Sequence, residues 1–447
     1  MNRSDRYCII GAGPSGLATA RAFAQAGIPF DILERHHDVG GIWDMSNEST
    51  PMYESAHFIS SRTQSAFDDF PMPESFPDYP GWRHILDYIR SFAKHYGLGD
   101  VVEFGVDVRR IARAEDAWDV TLVSGETRRY KGVVCAVGHN WDPLLPTYAG
   151  HFAGKAYHSF HYRSLSEFAG KRVLIVGGGN SGCDIACDAA AVAGKAFISV
   201  RRGYHFLPKH IFGQPTDAFF RSGPHLPAWL AQPLLTGLLR LLVGDLRKYG
   251  LPKPDHKVLE THPIVNSQLL HYLAHGDITA KPDVAELRGS AVRFADGSEE
   301  EIDVIVYATG YRATIPVLDE ELLPSGGGVA PFFLNVFHER AGLYAVGLFE
   351  TDGAAYPIVS KQAALIASLI RAEDDAPAVV EWFRRLRAAP PPDLRGGIRY
   401  LKSPRHAIYV QYDEYVHYLE KTLRKIERMA VRPATARRTG EPSAVPV

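Results

Sequence analysis

Two glycine clusters, and the charges that follow them, carry the chemistry open to this chain. The first is Gly11-Ala12-Gly13-Pro14-Ser15-Gly16 and the second is Gly177-Gly178-Gly179-Asn180-Ser181-Gly182. Both have the spacing G-x-G-x-x-G. In that spacing the first glycine permits a tight turn and the second lets a pyrophosphate approach the backbone. The third lets a helix pack close to a strand. The helix that follows offers unpaired N–H groups and the positive end of its dipole to the phosphates. Pro14, Ser15, Asn180 and Ser181 lie in these turns and are expected beside the ligand. One such cluster is a weak signal. Two, each after an apolar strand and before a helix, imply two dinucleotides on one polypeptide.

The two clusters differ in the charge at the end of the next strand. Glu34 closes Phe30-Asp31-Ile32-Leu33. A carboxylate there accepts both ribose hydroxyls of an adenosine and repels a 2′-phosphate, so the first module wants FAD or NAD. The second module ends in Arg201 and Arg202 with no acid. Forked guanidinium groups suit a 2′-phosphate. The pair FAD and NADPH follows, which points to flavin chemistry driven by a nicotinamide.

The elements that must position these residues recur in order. Tyr7 to Ile10 reads as a strand, Ser15 to Gln25 as a helix closed by Gly27, and Phe30 to Leu33 as a strand. Short strands are expected between Val101 and Val123, then an apolar strand ending at Gly138. The second module repeats the pattern with Arg172 to Val176, Ser181 to Ala193 and Ala196 to Val200. It closes on Asp303-Val304-Ile305-Val306-Tyr307-Ala308-Thr309-Gly310. The distance from Gly11 to Gly138 resembles that from Gly177 to Gly310, a weak internal repeat. The expected fold class is therefore α/β, with two Rossmann-like dinucleotide-binding domains, the second inserted into the first. The expected division gives residues 1–165 and 310–430 to the FAD domain. The NADPH domain takes 166–309, with a helical insertion at about 204–275. A helix is expected over Ser360 to Ala372, and the tyrosines 409, 412, 415 and 418 are spaced like a helix face.

Composition narrows the class. The 447 residues are 46% apolar and 22% charged, with 49 basic against 51 acidic side chains. That balance gives no reason to expect nucleic acid as a partner. The start runs straight into a strand with no leader pattern, so a cytoplasmic protein is expected. The cysteines at 8, 135, 183 and 187 include no C-x-x-C pair and read as reduced packing thiols. The apolar run Leu226 to Val243 is broken by Pro227, Pro233 and Arg240. It reads as a buried helix or a lid, with no membrane anchor. Residues 431–447 read as a disordered tail. The histidines at 205, 210, 256 and 262 lack metal-ligand spacing, and no metal is expected.

With these residues in view, the chain resembles the class B flavin-containing monooxygenases. Phe152-Ala-Gly154-Lys-Ala-Tyr-His158-Ser-Phe-His-Tyr162 fits that family's pattern F-x-G-x-x-x-H-x-x-x-Y/F just before the second cluster. Gly40-Gly41-Ile42-Trp43, Asp69-Phe70-Pro71 and Ala308-Thr309-Gly310-Tyr311 agree. Pro263-Ile264-Val265-Asn266 is a weaker match. The resemblance runs from about residue 6 to about residue 370. The related Baeyer–Villiger enzymes usually end the first pattern in Trp, and this chain has Tyr162.

The resemblance implies that NADPH reduces FAD and that the reduced flavin takes up O2 as a C4a-(hydro)peroxyflavin. A nucleophilic N or S atom of a small organic substrate then accepts one oxygen. It implies cofactor contacts at Gly41, Trp43, Ala308, Thr309, Gly310 and Gln362, and a structural, domain-linking role for Phe152, Gly154, His158 and Tyr162. A homodimer is the candidate assembly. The family places an Asn about ten residues before D-F-P. Here that position is Ile59, leaving Ser60 and Ser61 as the candidates for the catalytic polar contact. Ketone oxygenation, or NADPH oxidation with peroxide release, are the alternatives. A disulfide reductase lacks its C-x-x-C. A regulatory protein with a degenerate site would not need its glycines, Glu34 and Arg201 intact.

Overall fold

The computed structural model describes residues 1–223, 226–323 and 332–430; the expected tail at 431–447 lies outside them. The apolar run Tyr7-Cys8-Ile9-Ile10 is buried on both faces, as a central parallel strand must be. Its strand, Asn2–Ile10, pairs in parallel with Phe30–Glu34 on one side and Thr127–Cys135 on the other. Val102–Phe104 extends the sheet beyond Phe30–Glu34, and Leu343–Ala345 extends it beyond Thr127–Cys135, again in parallel. The helix Pro14–Ala26 follows the first strand. It closes at Gly27, whose φ of 67° and N–H bond to the Ala24 carbonyl form a left-handed cap. The helix Ala355–Asp375 packs beside it through Val359, Ala363 and Ile366, and Tyr412–Ala430 covers that helix in turn.

The second sheet repeats this plan. Among the described residues its strand order is Ile278–Lys281, Lys195–Ser199, Arg172–Val176, Val304–Tyr307 and Lys155–His158, all parallel. Its first helix is Asn180–Val192. The chain leaves the first sheet after Cys135, builds the second, and returns through Tyr311–Arg312. That strand pairs antiparallel with the outgoing Asp142–Pro143. The architecture is α/β, two Rossmann-like units with the second inserted into the first. In each, the glycine turn sits at the carboxyl end of the central strand, where such sheets bind nucleotides.

The structure departs from the sequence expectation in four places. Lys155–His158 is an edge strand of the second sheet, and Ala149–Phe152 pairs with Val284–Gly289. By strand pairing, the second unit therefore begins ahead of residue 166. The helix expected over 360–372 runs from Ala355 to Asp375, because Pro357 falls in its first turn, where no N–H is missed. Tyr409 belongs to the strand Tyr409–Val410, and only the later tyrosines share the helix that opens at Tyr412. The run Leu226 to Val243 forms the helix Ala228–Leu242, but it is not buried: Trp229 is 76% exposed and Leu241 82%. No helix among the described residues is long and apolar enough to cross a membrane.

Candidate functional site

The two glycine turns are built alike, atom by atom. Gly11 has φ of 103°, and a Cβ placed on it would sit 2.7 Å from the Ala136 carbonyl oxygen. Gly177 has φ of 119°, with the Ala308 oxygen 2.3 Å from its Cβ position. Ala136 and Ala308 occupy the ends of the two crossing strands. A Cβ on Gly16 would meet the Gly11 oxygen at 1.8 Å, and one on Gly182 would meet the Gly177 oxygen at 2.1 Å. The fold alone thus demands glycine at these four positions.

It does not demand glycine at the middle of each turn. Gly13 and Gly179 have φ of −75° and −74°, which any residue adopts. A Cβ on Gly179 would meet nothing within 4 Å, and one on Gly13 only Gly41, its Cα at 3.4 Å and its N at 3.8 Å. The helices starting there carry no side-chain cap, so their first N–H groups face outward unpartnered by a cap. A gap that excludes a methyl group for no intramolecular reason, beside free donors, fits a pyrophosphate pressed on the backbone.

Other turn residues serve the protein itself. Pro14 takes the first helical position, where its missing N–H costs nothing. Ser15 lies against Gly347, where a Cβ would sit 2.3 Å from the Ser15 hydroxyl oxygen. The Gly347 N–H donates to Gln362 Oε1 at 2.9 Å, and Gln362 Nε2 donates to the Tyr415 hydroxyl at 2.8 Å. Gln362 is fully buried and both its ends are engaged, so it reaches the turn only through Gly347. Asn180 is likewise occupied: Nδ2 donates to the Pro263 carbonyl and Oδ1 accepts from the Val265 N–H, both at 3.0 Å. Ser181 is exposed at the mouth of its turn.

The charges that distinguish the modules are held differently. Glu34 is buried and accepts from the Ala12 N–H at 2.6 Å and the His36 N–H at 2.8 Å. Strand register pairs Ile10 with Leu33 and Val176 with Ser199. The true counterpart of Glu34 is therefore Val200, which packs on Gly178 as Glu34 packs on Ala12. The second module has an apolar side chain where the first has its acid, and Arg201 stands one residue beyond. Arg201 is exposed with no acidic partner among the described residues, whereas Arg202 Nε is 3.2 Å from Asp255 Oδ2. The two arginines are not equivalent.

The motif from Phe152 to Tyr162 braces the passage between units. His158 is buried; its Nε2 donates to the Gly310 carbonyl at 3.0 Å and its Nδ1 accepts from the Phe160 N–H at 3.1 Å. That arrangement needs a neutral ring, and burial brings its pKa down to about 4. Thr309 ties the same crossing by donating to the Leu144 carbonyl at 2.5 Å. Gly154 leaves room for the Asp303 carbonyl, which would lie 2.7 Å from a Cβ there. Phe152 packs with Leu174 and Phe294. Tyr162 stacks on Phe168, ring centres 5.0 Å apart, and donates to Asp188 Oδ2 at 2.9 Å.

Trp43 follows the Gly40–Gly41 bend, with Gly41 at φ of 58° and 3.0 Å allowed between its Cβ position and the Gly13 Cα. Its ring meets Phe58 edge-on at 4.9 Å, and Phe58 meets Tyr356 at 5.5 Å. Ile59 packs with Leu207, Val258 and Val265 from the insertion. Ser60 accepts from the Ser65 hydroxyl at 2.7 Å and keeps its own proton to donate. Ser61 is buried; its N–H donates to Asp217 Oδ2 at 2.6 Å and its hydroxyl faces Thr63 at 3.3 Å. The structure thus groups Trp43 and Phe58 beside the first turn and buries Ser61, while Ser60 bonds to Ser65.

Sequence reasoning missed the contacts that hold this segment. Tyr53 donates to Asp184 Oδ2 at 3.2 Å and Ser55 to Asp188 Oδ2 at 2.5 Å, both acids lying on the second fingerprint helix. Nothing local marks Tyr53 or Ser55; the acids' spacing of one helical turn was the only available signal. Among the described residues no group of three or more His, Cys, Asp or Glu side chains is placed to hold a metal.

Comparison with known proteins identifies the family. The chain is 31% identical over 374 residues to a probable indole-3-pyruvate monooxygenase, YUCCA9 of Arabidopsis thaliana, covering 79% of this chain and 87% of the relative. It is 32% identical over 384 residues to dimethylaniline monooxygenase [N-oxide-forming] 2 of Rattus norvegicus, covering 80% and 72%. A solved cyclohexanone monooxygenase from Rhodococcus sp. Phi1, bound to NADP+, superposes with a TM-score of 0.69 at 18% identity over 96% of this chain and 99% of that one. That last likeness speaks for the fold. The model of the flavin-binding monooxygenase-like family matches residues 4–429, and the chain belongs to this family of FAD- and NADPH-dependent monooxygenases.

Proposed function

We propose that this enzyme transfers one oxygen atom from O2 to a nucleophilic nitrogen or sulfur atom of a small organic substrate. The observation that carries the reading is the apolar wall beside the first glycine turn. Trp43 and Phe58, and Phe58 and Tyr356, meet there edge to face, and Ile59 packs on the insertion. Such a wall excludes water, which oxygen transfer requires, and a soft neutral nucleophile needs no acid–base pair to react. The N-oxide-forming relative from rat supports the same class.

When bound, NADPH supplies hydride and FAD supplies electron transfer and oxygen activation. The remaining work belongs to the chain. The turn from Gly11 to Gly16 receives the FAD pyrophosphate, with Glu34 at the adenosine ribose. Gly41 and Trp43 line the same site, and Gln362 holds Gly347 in place from behind. The turn from Gly177 to Gly182 receives the NADPH pyrophosphate, and Arg201 meets the 2′-phosphate. Ala308, Thr309 and Gly310 carry the crossing between the two sites, braced by His158. Ser60, whose hydroxyl keeps its own proton, would be the candidate to donate a hydrogen bond toward the flavin.

The test is a screen of NADPH consumption against a tertiary amine, a thioether, indole and a cyclic ketone, with hydrogen peroxide followed in parallel and products weighed after reaction under 18O2. We expect 18O in an N-oxide or sulfoxide. An 18O-labelled lactone from the ketone alone, or peroxide equal to NADPH with every substrate, would replace this reading by one of its alternatives.

A further inference from the structure

We propose that Asp184 and Asp188 are positioning residues that lock the segment 53–61 to the second nucleotide-binding unit, so that filling the NADPH site fixes the wall over the flavin site. The inference rests on the assignment of the two nucleotide sites given above. Neither acid touches a reacting group.

The argument begins with chain geometry. Segment 53–61 leaves the first unit just after Trp43, yet its side chains are held by the second. Asp184 and Asp188 lie one turn apart on Asn180–Val192, the helix whose N-terminus forms the NADPH turn. They therefore face the same way. Asp184 accepts from Tyr53 at 3.2 Å through Oδ2, and from Asn266 Nδ2 at 2.8 Å through Oδ1. Asp188 Oδ2 accepts from Ser55 at 2.5 Å and from Tyr162 at 2.9 Å. Lys209, from the insertion, donates to His57 Nε2 at 2.7 Å. Asp217, also from the insertion, receives the Ser61 N–H. Positions 53, 55, 57 and 61 are thus anchored on the second unit, and Ile59 among them packs on the insertion. The even residue Phe58 turns the other way, onto Trp43 and Tyr356 of the first.

A segment gripped on one side and reading out on the other transmits position. A shift of the Asn180–Val192 helix moves Asp184 and Asp188 together, and the segment's hydroxyl anchors must follow or break. The anchors are carboxylates bound by several donors each, the stronger class of hydrogen bond. Burial raises both carboxyls above their usual range, and the hydroxyl and amide donors offset part of that cost. Removing a donor from one acid therefore weakens the grip without emptying the site.

Ser55→Ala and Asp188→Asn are the variants of choice, because Ser55 lies outside both nucleotide sites and Asp188→Asn preserves volume and an acceptor oxygen. Hydrogen exchange of peptides covering 52–61 is followed in the FAD-loaded enzyme with and without NADP+. In the parent enzyme we expect NADP+ to slow exchange there. In Ser55→Ala we expect that response to be lost while the Kd for NADP+ changes by less than about threefold, and anaerobic flavin reduction by NADPH to slow on the order of tenfold, as for a small displacement of reacting groups. Asp188→Asn, which keeps an acceptor oxygen, should retain part of the response. A parent segment indifferent to NADP+, or a Ser55→Ala enzyme with normal response and reduction rate but a lowered Tm, would overturn the proposal and leave a purely structural contact. Failure of NADP+ to bind at all would instead refute the nucleotide assignment on which it rests.

Discussion

The split between Arg201 and Arg202 gives a sharp quantitative expectation. Arg201 is exposed and has no acidic partner among the described residues, one position past Val200, which stands in register where the first unit has Glu34. A guanidinium bonded to a phosphate is worth about 1.5–3 kcal/mol. Solvent screening at an exposed site reduces this to about 1–2 kcal/mol. At about 1.4 kcal/mol per factor of ten, Arg201→Ala should weaken NADP+ binding by roughly 5- to 30-fold. Binding of NAD+, which lacks the 2′-phosphate, should be nearly unchanged. Arg202 already has Asp255 at 3.2 Å, so freeing it for a phosphate forfeits what it gains. Arg202→Ala should cost less than about threefold, in line with an exposed ion pair. Equilibrium titration of the FAD-loaded protein with oxidised nucleotides measures both without turnover. Equal losses for NADP+ and NAD+ in Arg201→Ala would refute the 2′-phosphate contact. A larger effect from Arg202→Ala would refute the register argument that separates the two.

Two further outcomes follow from individual positions. Gly179→Ala meets nothing within 4 Å and keeps an ordinary φ, so Tm should hold while NADP+ affinity falls; Gly182→Ala places a methyl 2.1 Å from the Gly177 oxygen and should unfold the unit. Thermal melts with and without NADP+ separate the pair, and a lowered Tm for Gly179→Ala without ligand would refute the reading of that gap. For His158, burial takes the ring from 6.5 to about 4, so the folded state binds its proton later than the unfolded state does. Its contribution is complete above pH 6.5 and is lost as pH falls from there toward 4, at most about 3 kcal/mol at ~1.4 kcal/mol per unit. Urea unfolding across that window should show a steeper loss in the parent than in His158→Asn, and parallel curves would contradict the neutral buried ring.

Much of the fold was legible because its signals are local. Tyr7 to Ile10 and Arg172 to Val176 are short apolar runs before glycine turns, and a run of that kind has few folded fates. The roles of Gly11 and Gly16 follow from spacing alone. Register is another matter. The sequence aligns Arg201 with Glu34 by eye, but the pairing of Val176 with Ser199 moves the match to Val200. A one-residue offset at a strand end cannot be read without its neighbour, because register is set by pairing. Lys155–His158 is hard to place for the same reason: an edge strand that precedes its own unit's fingerprint is recognised only by what it pairs with.

Polar side chains were the least legible. Gln362 and Asn180 stand where a ligand contact is plausible, yet the buried backbone claims both. The Gly347 N–H needs an acceptor, and the strand at Ile264–Val265 needs a partner at its start. A buried backbone group left unpaired costs about 1–3 kcal/mol, so amide side chains close to such groups are captured by them before any ligand arrives. Ser61 is captured in the same way, while Ser60 accepts one bond and retains a proton. The rule separates the candidates by chemistry. Where the chain itself has an unmet donor or acceptor, the neighbouring polar side chain is structural. Where it has an unexplained gap, as at Gly13 and Gly179, or a charge with no acidic partner among the described residues, as at Arg201, we propose that the partner comes from outside. On that proposal those gaps and that charge mark the two nucleotide sites, and segment 53–61 bonds through Tyr53 and Ser55 to the second unit's helix and through Phe58 to Trp43 and Tyr356 of the first.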